Sequence, residues 1–152
     1  MKDFDGSSIE EKLFRWFLST FPAGATIVEL GSGSGSTKHL GELFNLFSIE
    51  DDKQYIDKYR STYIYAAKKN GWYDPEAIRK NLPNNYDAIL IDGPVGEGNR
   101  IGFLKNIHLF KTKCHIIVHD THRGGERDLA NKISKELSKK IIIDEGSYCI
   151  LL

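Results

Sequence analysis

"TIVELGSGSGSTKHL", Thr26 to Leu40, decides how the rest of the chain is read. A short apolar run carries a carboxylate, Glu29, and ends at Leu30; glycines then stand at 31, 33 and 35 with serines between them. The β-branched opening suits a buried strand, and "SGSTKHLGELFN" suits the helix that follows. Glycine lets a backbone turn sharply, lets another group come close, and lets a helix start against a sheet. In an open α/β sheet the turn after the first strand is the place where ligands are met.

Outward from this stretch, apolar runs alternate with helical ones. "LFSIE" (46–50), "TYIYA" (62–66), "YDAILID" (86–92) and "CHIIVHD" (114–120) read as four further strands, and "KIIIDEGSYCILL" reads as two strands closed by "DEG" into a hairpin. Helices are expected at "DKQYIDKYR", around Ile101, Leu104 and His108, and over "ERDLANKISKELSKK". Upstream, Ile9, Leu13, Trp16, Phe17 and Phe21 recur at helical spacing, with a capping box from Ser7 to Glu10, until Pro22 and Gly24 stop the pattern. The expectation is one α/β domain over residues 1–152. An N-terminal helix (1–23) precedes a doubly wound, seven-stranded, mostly parallel core (24–152), and the hairpin adds one antiparallel strand.

The global numbers narrow the function classes. A chain of 152 residues can bury one ordinary core. Lys+Arg and Asp+Glu both number 21, which gives no electrostatic case for a nucleic-acid or anionic-membrane partner. No apolar run is long enough to span a bilayer and the N-terminus has no secretory h-region, so a cytoplasmic protein is expected. Cys114 and Cys149 lie in apolar strand-like runs and are expected as reduced core thiols.

Two ligand classes compete for the glycine turn. A dinucleotide fingerprint, G-x-G-x-x-G/A, fits Gly31 and Gly33 but then meets Ser36, and Glu29 sits badly beside a pyrophosphate. A positively charged ligand suits that carboxylate better. "ELGSGSG" resembles motif I of the class I S-adenosylmethionine-dependent methyltransferases, and the resemblance extends over residues 24–152. It implies S-adenosylmethionine as cofactor, held by Glu29, Gly31, Ser32, Gly33, Ser34 and Gly35. It also implies an acid at the end of the second strand for the ribose hydroxyls, here Glu50 with Asp51 beside it. Glu50 lies nineteen residues beyond Gly31, a spacing a nicotinamide enzyme shares. The acid that the family often carries after its third strand has no counterpart in "YIYAAKKNGWYD", which leaves backbone groups near Ala66 and Ala67 for the adenine.

The acceptor side gathers at the same edge. "IDGPVGEGNR" and "HDTHR" follow the fourth and fifth strands. This pair is similar to runs in small O-methyltransferases of the sugar- and polysaccharide-modifying type. That likeness implies a small-molecule or sugar acceptor, bound by this chain's own loops or by a second subunit in a homodimer. A hydroxyl acceptor must lose a proton, so Asp92, His119, Asp120 and His122 are candidate catalytic residues, joined by Arg100 as a cation that could meet an acidic acceptor, with Asp92 also bordering the cofactor. If the strand order is that of the methyltransferase family, Asp92 and Asp120 end neighbouring strands about 4.8 Å apart and would repel unless something stands between them. A divalent cation such as Mg²⁺, a basic side chain, or a shared proton would each relieve the repulsion. Duller alternatives stand beside these: a satisfied core His119, a solvated His122, and an Arg100 paired with Glu97. At the level of function the alternatives are a nicotinamide-dependent oxidoreductase and a non-catalytic nucleotide-binding module.

Overall fold

The computed structural model describes residues 10–96 and 98–152. Ile9, the Ser7 end of the capping box, and Glu97 lie outside them. The elements run in the order α1 (Glu11–Thr20), β1 (Thr26–Leu30), α2 (Ser36–Leu43), β2 (Asn45–Glu50), β3 (Thr62–Tyr65), β4 (Lys68–Lys69), β5 (Trp72–Tyr73), α3 (Pro75–Asn81), β6 (Ala88–Ile91), α4 (Gly102–Lys105), β7 (His115–His119), α5 (Gly124–Glu136), β8 (Ile141–Asp144) and β9 (Tyr148–Leu151).

Seven strands form one sheet in the order β3-β2-β1-β6-β7-β9-β8, and β9 runs antiparallel to both its neighbours. This is the expected doubly wound, mostly parallel architecture. Its register follows from alternation along each strand. Val28, Leu30, Ile89, Ile91, Ile116 and Val118 face a cluster closed by α5 and by Trp72, Tyr73 and Phe103. Ile27, Ala88, Leu90, Ile117 and Ile150 face the opposite cluster, under α1 and Leu40 of α2. Both faces are therefore dry, which is why the strand sequences read as continuous apolar runs rather than alternating ones.

The chain winds outward from β1 to β3, then crosses back to begin again at β6. The strand order thus reverses between β1 and β6, and a crevice opens beyond their carboxyl ends. Gly31 leaves β1 there with φ +90°. A Cβ on Gly31 would lie 2.7 Å from the Asp92 carbonyl oxygen, and one on Gly93 would lie 2.9 Å from the Gly31 Cα. The two turns are packed backbone to backbone, an approach only glycine permits.

Two expectations are corrected. The helix expected at "DKQYIDKYR" is a single 3₁₀ turn at Lys53–Tyr55, because the Asp52 side chain caps Gln54 and Asp57 takes φ +57°. The helix around Ile101–His108 is broken into α4 between 3₁₀ turns at Asn99–Ile101 and Ile107–Leu109. Its Gly102 is pressed on the Trp72 ring, where a Cβ would overlap the indole. A two-stranded ribbon, β4–β5, and helix α3 follow β3, in a segment for which no element was expected. Arg100, the buried cation of the site described next, lies in the second of these segments.

Candidate functional site

The glycine turn rests on a buried polar relay. The Gly33 amide donates to Thr37 Oγ1 at 2.8 Å, and Thr37 Oγ1 donates to Glu29 Oε1 at 2.5 Å. Ser48 Oγ donates to the same carboxylate oxygen at 2.6 Å. Glu29 is fully buried, because its parity along β1 points it at the face covered by α2. Burial raises its pKa to about 7 against the opposing hydrogen bonds of Ser48 and Thr37, and its Oε2 has no hydrogen-bond partner among the described residues. Glu29 therefore lies beneath the turn and reaches it through Thr37, rather than lining the crevice as a direct contact.

Above the turn is a cleft of about 520 Å³, bordered by residues 31–34, Glu50, Asp51, Tyr73 and Asp92. Its size is that of a small-ligand site. No Cβ added at Gly33 would meet an atom within 4 Å, so the second glycine of the turn faces open cleft. Gly35 plays a different part, as the N-terminal flank of α2. Glu50 is almost fully buried and ties the cleft wall together. Oε2 accepts from the Ser32 amide at 2.8 Å, and Oε1 accepts from the Asp51 and Asp52 amides at 2.8 Å each. Lys68 spans the cleft mouth, donating to the Val95 carbonyl at 2.9 Å with Asp51 Oδ2 3.8 Å away. Ala66 and Ala67 do not border this cleft. The Ala66 amide donates to the Glu50 carbonyl, and the Ala67 carbonyl accepts from Asp74. Both of these groups are spent on holding β3 and the β4–β5 ribbon.

Asp92 joins the cleft to a second group of side chains. Its Oδ1 lies 3.1 Å from His119 Nδ1, which is also 3.4 Å from Asp120 Oδ1. Arg100 enters between the same two acids. Its Nη2 is 3.0 Å from Asp120 Oδ2 and 3.5 Å from Asp92 Oδ1, and its Nη1 donates to the His119 carbonyl at 3.2 Å. Glu126, buried at the start of α5, stands 3.9 Å from Arg100 Nε. Arg123 adds an outer contact, 3.4 Å from Asp120. His122 is exposed, and no hydrogen bond or ion pair joins it to this group among the described residues. His119 is thus a paired histidine facing two carboxylates rather than a passive core residue, and Arg100 is buried in the middle of the group.

Of the three ways to relieve repulsion between Asp92 and Asp120, basic side chains are the one the geometry uses. Burial opposes a charge on His119, but its bonds to Asp120 and Asp92 outweigh that and raise its pKa to about 10. Hydrogen bonding by His119, against some burial, holds Asp120 well below the ordinary carboxylate range. The ligand atoms of Asp92, His119 and Asp120 lie within 4.8 Å of one another, as a metal site would need. Yet the Arg100 guanidinium already touches both carboxylates, and two acids against Arg100 and a protonated His119 leave no charge for a hard divalent cation to neutralise. Mg²⁺ also requires near-octahedral oxygen ligands, which this set with its imidazole and guanidinium does not offer. The residues as arranged do not fit Mg²⁺.

A pH dependence follows. The His119 pKa is raised, so its contribution to stability is complete below about pH 6.5 and declines until pH passes about 10. Urea denaturation from pH 6 to 10 should show stability falling with pH, and His119→Gln should remove most of that slope. A wild-type curve flat over this range would contradict the charged pairing.

Sequence reasoning missed Thr37, Ser48, Lys68, Tyr73 and Glu126. Asp74-Pro75 was a readable signal for α3: Asp74 accepts from the Glu76 amide, and Pro75 opens the helix. Finding α3 would have placed the ribbon, and with it Lys68 and Tyr73, beside the cleft.

No protein-family model matches this sequence, and no curated protein matches it. Solved structures do resemble the fold. A TehB-like SAM-dependent methyltransferase from Corynebacterium glutamicum has a TM-score of 0.59 at 14% identity, over 98% of this chain and 86% of that one. The MycE methyltransferase of the mycinamycin biosynthetic pathway, in complex with Mg and SAH, has a TM-score of 0.58 at 14% identity, over 92% of this chain and 44% of that one. An rRNA methylase from Streptococcus thermophilus has a TM-score of 0.54 at 11% identity, over 92% of each chain. At such identities the likeness establishes the fold: this chain has the Rossmann-like methyltransferase fold.

Proposed function

We propose that the chain is a methyltransferase using S-adenosylmethionine, with an oxygen of a small molecule as acceptor. The observation that carries this reading is the cleft at the β1/β6 switch point, whose polar wall is acidic. Glu50, Asp51, Asp52 and Asp92 border it, and Lys68, its one cation among the described residues, is tied to the Val95 carbonyl. Such a wall repels a pyrophosphate and suits a ligand bearing a sulfonium and an ammonium group. This disfavours the nicotinamide alternative on charge, beyond the failed glycine register. Among structures of like fold one is an rRNA methylase and another belongs to the mycinamycin biosynthetic pathway, so the fold does not choose an acceptor.

Bound S-adenosylmethionine supplies an electrophilic methyl for in-line displacement. The chain's own residues have two tasks. The glycine turn and Glu50 fix the nucleoside end, so the reacting methyl has one place to be, and such fixing accounts for much of the rate in displacement chemistry. Asp92, partly exposed at the cleft edge, takes the acceptor's proton. His119 and Asp120 do not border the cleft and stand behind Asp92, which leaves both as positioning groups for it. Among the described residues no helix is long and apolar enough to cross a membrane.

Calorimetry tests the cofactor: S-adenosylmethionine and S-adenosylhomocysteine should bind and NAD should not. Tight NAD binding with neither sulfur compound would reverse the assignment. Transfer of labelled methyl to a panel of hydroxyl acceptors separates an enzyme from a non-catalytic module.

A further inference from the structure

Tyr73 is a fully buried side chain whose hydroxyl has no hydrogen-bond partner among the described residues. It borders the cleft, and its hydroxyl abuts Gly93, where an added Cβ would come within 2.3 Å of it. A buried phenol left unpaired is unfavourable for folding unless a ligand completes it. Burial first, and then the charges of Glu50, Asp51 and Asp92, keep this phenol neutral. It can therefore both donate and accept one hydrogen bond.

Glu50 supplies the reason a second group is needed. A carboxylate has about four acceptor positions, and three are taken by the amides of Ser32, Asp51 and Asp52. One remains, on Oε2. A ribose presents two adjacent hydroxyls, so Glu50 alone cannot satisfy both.

We propose that Tyr73 is a cofactor-positioning residue whose hydroxyl bonds the ribose hydroxyl that Glu50 leaves unmet. The inference rests on the proposed function and adds a residue that motif I and the strand-end acid do not include. The split arrangement has a consequence for specificity: the cleft reads the two hydroxyls through different side chains, so removing either one should be felt separately.

The test is calorimetry of S-adenosylhomocysteine and its 2′-deoxy and 3′-deoxy analogues with wild type and Tyr73→Phe. Tyr73→Phe should bind the parent compound about fivefold to tenfold more weakly, the scale of one neutral hydrogen bond. One deoxy analogue should bind the variant no worse than the parent does, while the other still loses affinity. Thermal unfolding of the ligand-free proteins supplies a readout in the opposite direction. Tyr73→Phe removes an unpaired buried hydroxyl and should melt no lower than wild type. Unchanged affinity for S-adenosylhomocysteine in the variant overturns the proposal and leaves the second hydroxyl to Asp51. So do equal penalties for both analogues in both proteins, and so does a lowered melting temperature, which would give the hydroxyl a structural partner. A wild type that bound no S-adenosylhomocysteine would instead overturn the proposed function, and this inference with it.

Discussion

Gly31→Ala should destabilise the protein by about 2–5 kcal/mol, and Gly33→Ala, two residues on, by less than about 0.5 kcal/mol. At Gly31 two penalties add. The backbone has φ +90°, which an L-side chain adopts only with strain, and the new methyl would lie 2.7 Å from the Asp92 carbonyl and 3.0 Å from the Gly93 Cα. Neither neighbour can rotate away, because both are backbone at the ends of paired parallel strands: the Asp92 amide is bonded to the Leu30 carbonyl, and the Gly31 amide to Ile49. At Gly33 neither penalty exists, since the added methyl meets nothing within 4 Å. What it enters is the cleft, so Gly33→Ala should keep the fold and weaken binding of S-adenosylhomocysteine. Urea denaturation measures the first effect and calorimetry the second. Equal stability losses at both positions would show that the turn is held by something other than the Gly31–Gly93 contact.

That contrast also shows what the sequence can carry. Three alternating glycines mark a close approach but do not say which glycine meets protein and which meets ligand. The distinction depends on the crossing of β1 and β6, which are joined only through the fold. The sheet itself was legible because its central strands β1, β6 and β7 are mostly apolar and buried on both faces; β1 was bounded at Thr26–Leu30 from its residues alone. Glu29 was legible as a residue that matters, while its direction was not. Parity along β1 turns it under α2, so it acts on Gly33 through the Thr37 hydroxyl. Arg100 was assigned to the site from the loop that carries it, yet the depth of its burial comes from the break of the 99–109 segment against Trp72, which local propensity does not encode. Tyr73 lay hidden for a similar reason. Its two-residue strand is too short for a periodic signal, and its place beside Gly93 is a tertiary fact.

The largest effect on turnover is expected at the acids between β6 and β7. Asp92→Asn should lower kcat by about 10²- to 10⁴-fold, the range for loss of a positioned general base, because Asp92 is the acid that both borders the cleft and stands outside full burial. Asp120→Asn should lower it less, by about tenfold to a hundredfold, and should leave S-adenosylmethionine binding nearly intact. Asparagine is the informative substitution at 120, since this residue has φ +60° and asparagine accepts that conformation. Backbone geometry is kept while one of the two charges facing His119 and Arg100 is lost. Those two cations then bear on Asp92 alone. Turnover of the wild type should survive a chelator and gain nothing from Mg²⁺ or Mn²⁺, because Arg100 and His119 already occupy the space between the carboxylates. Activity lost to chelator and restored by Mg²⁺ would mean that Arg100 leaves the pair when the acceptor binds. Full activity in Asp92→Asn would remove this carboxylate from the chemistry and turn attention to a base carried by the acceptor itself.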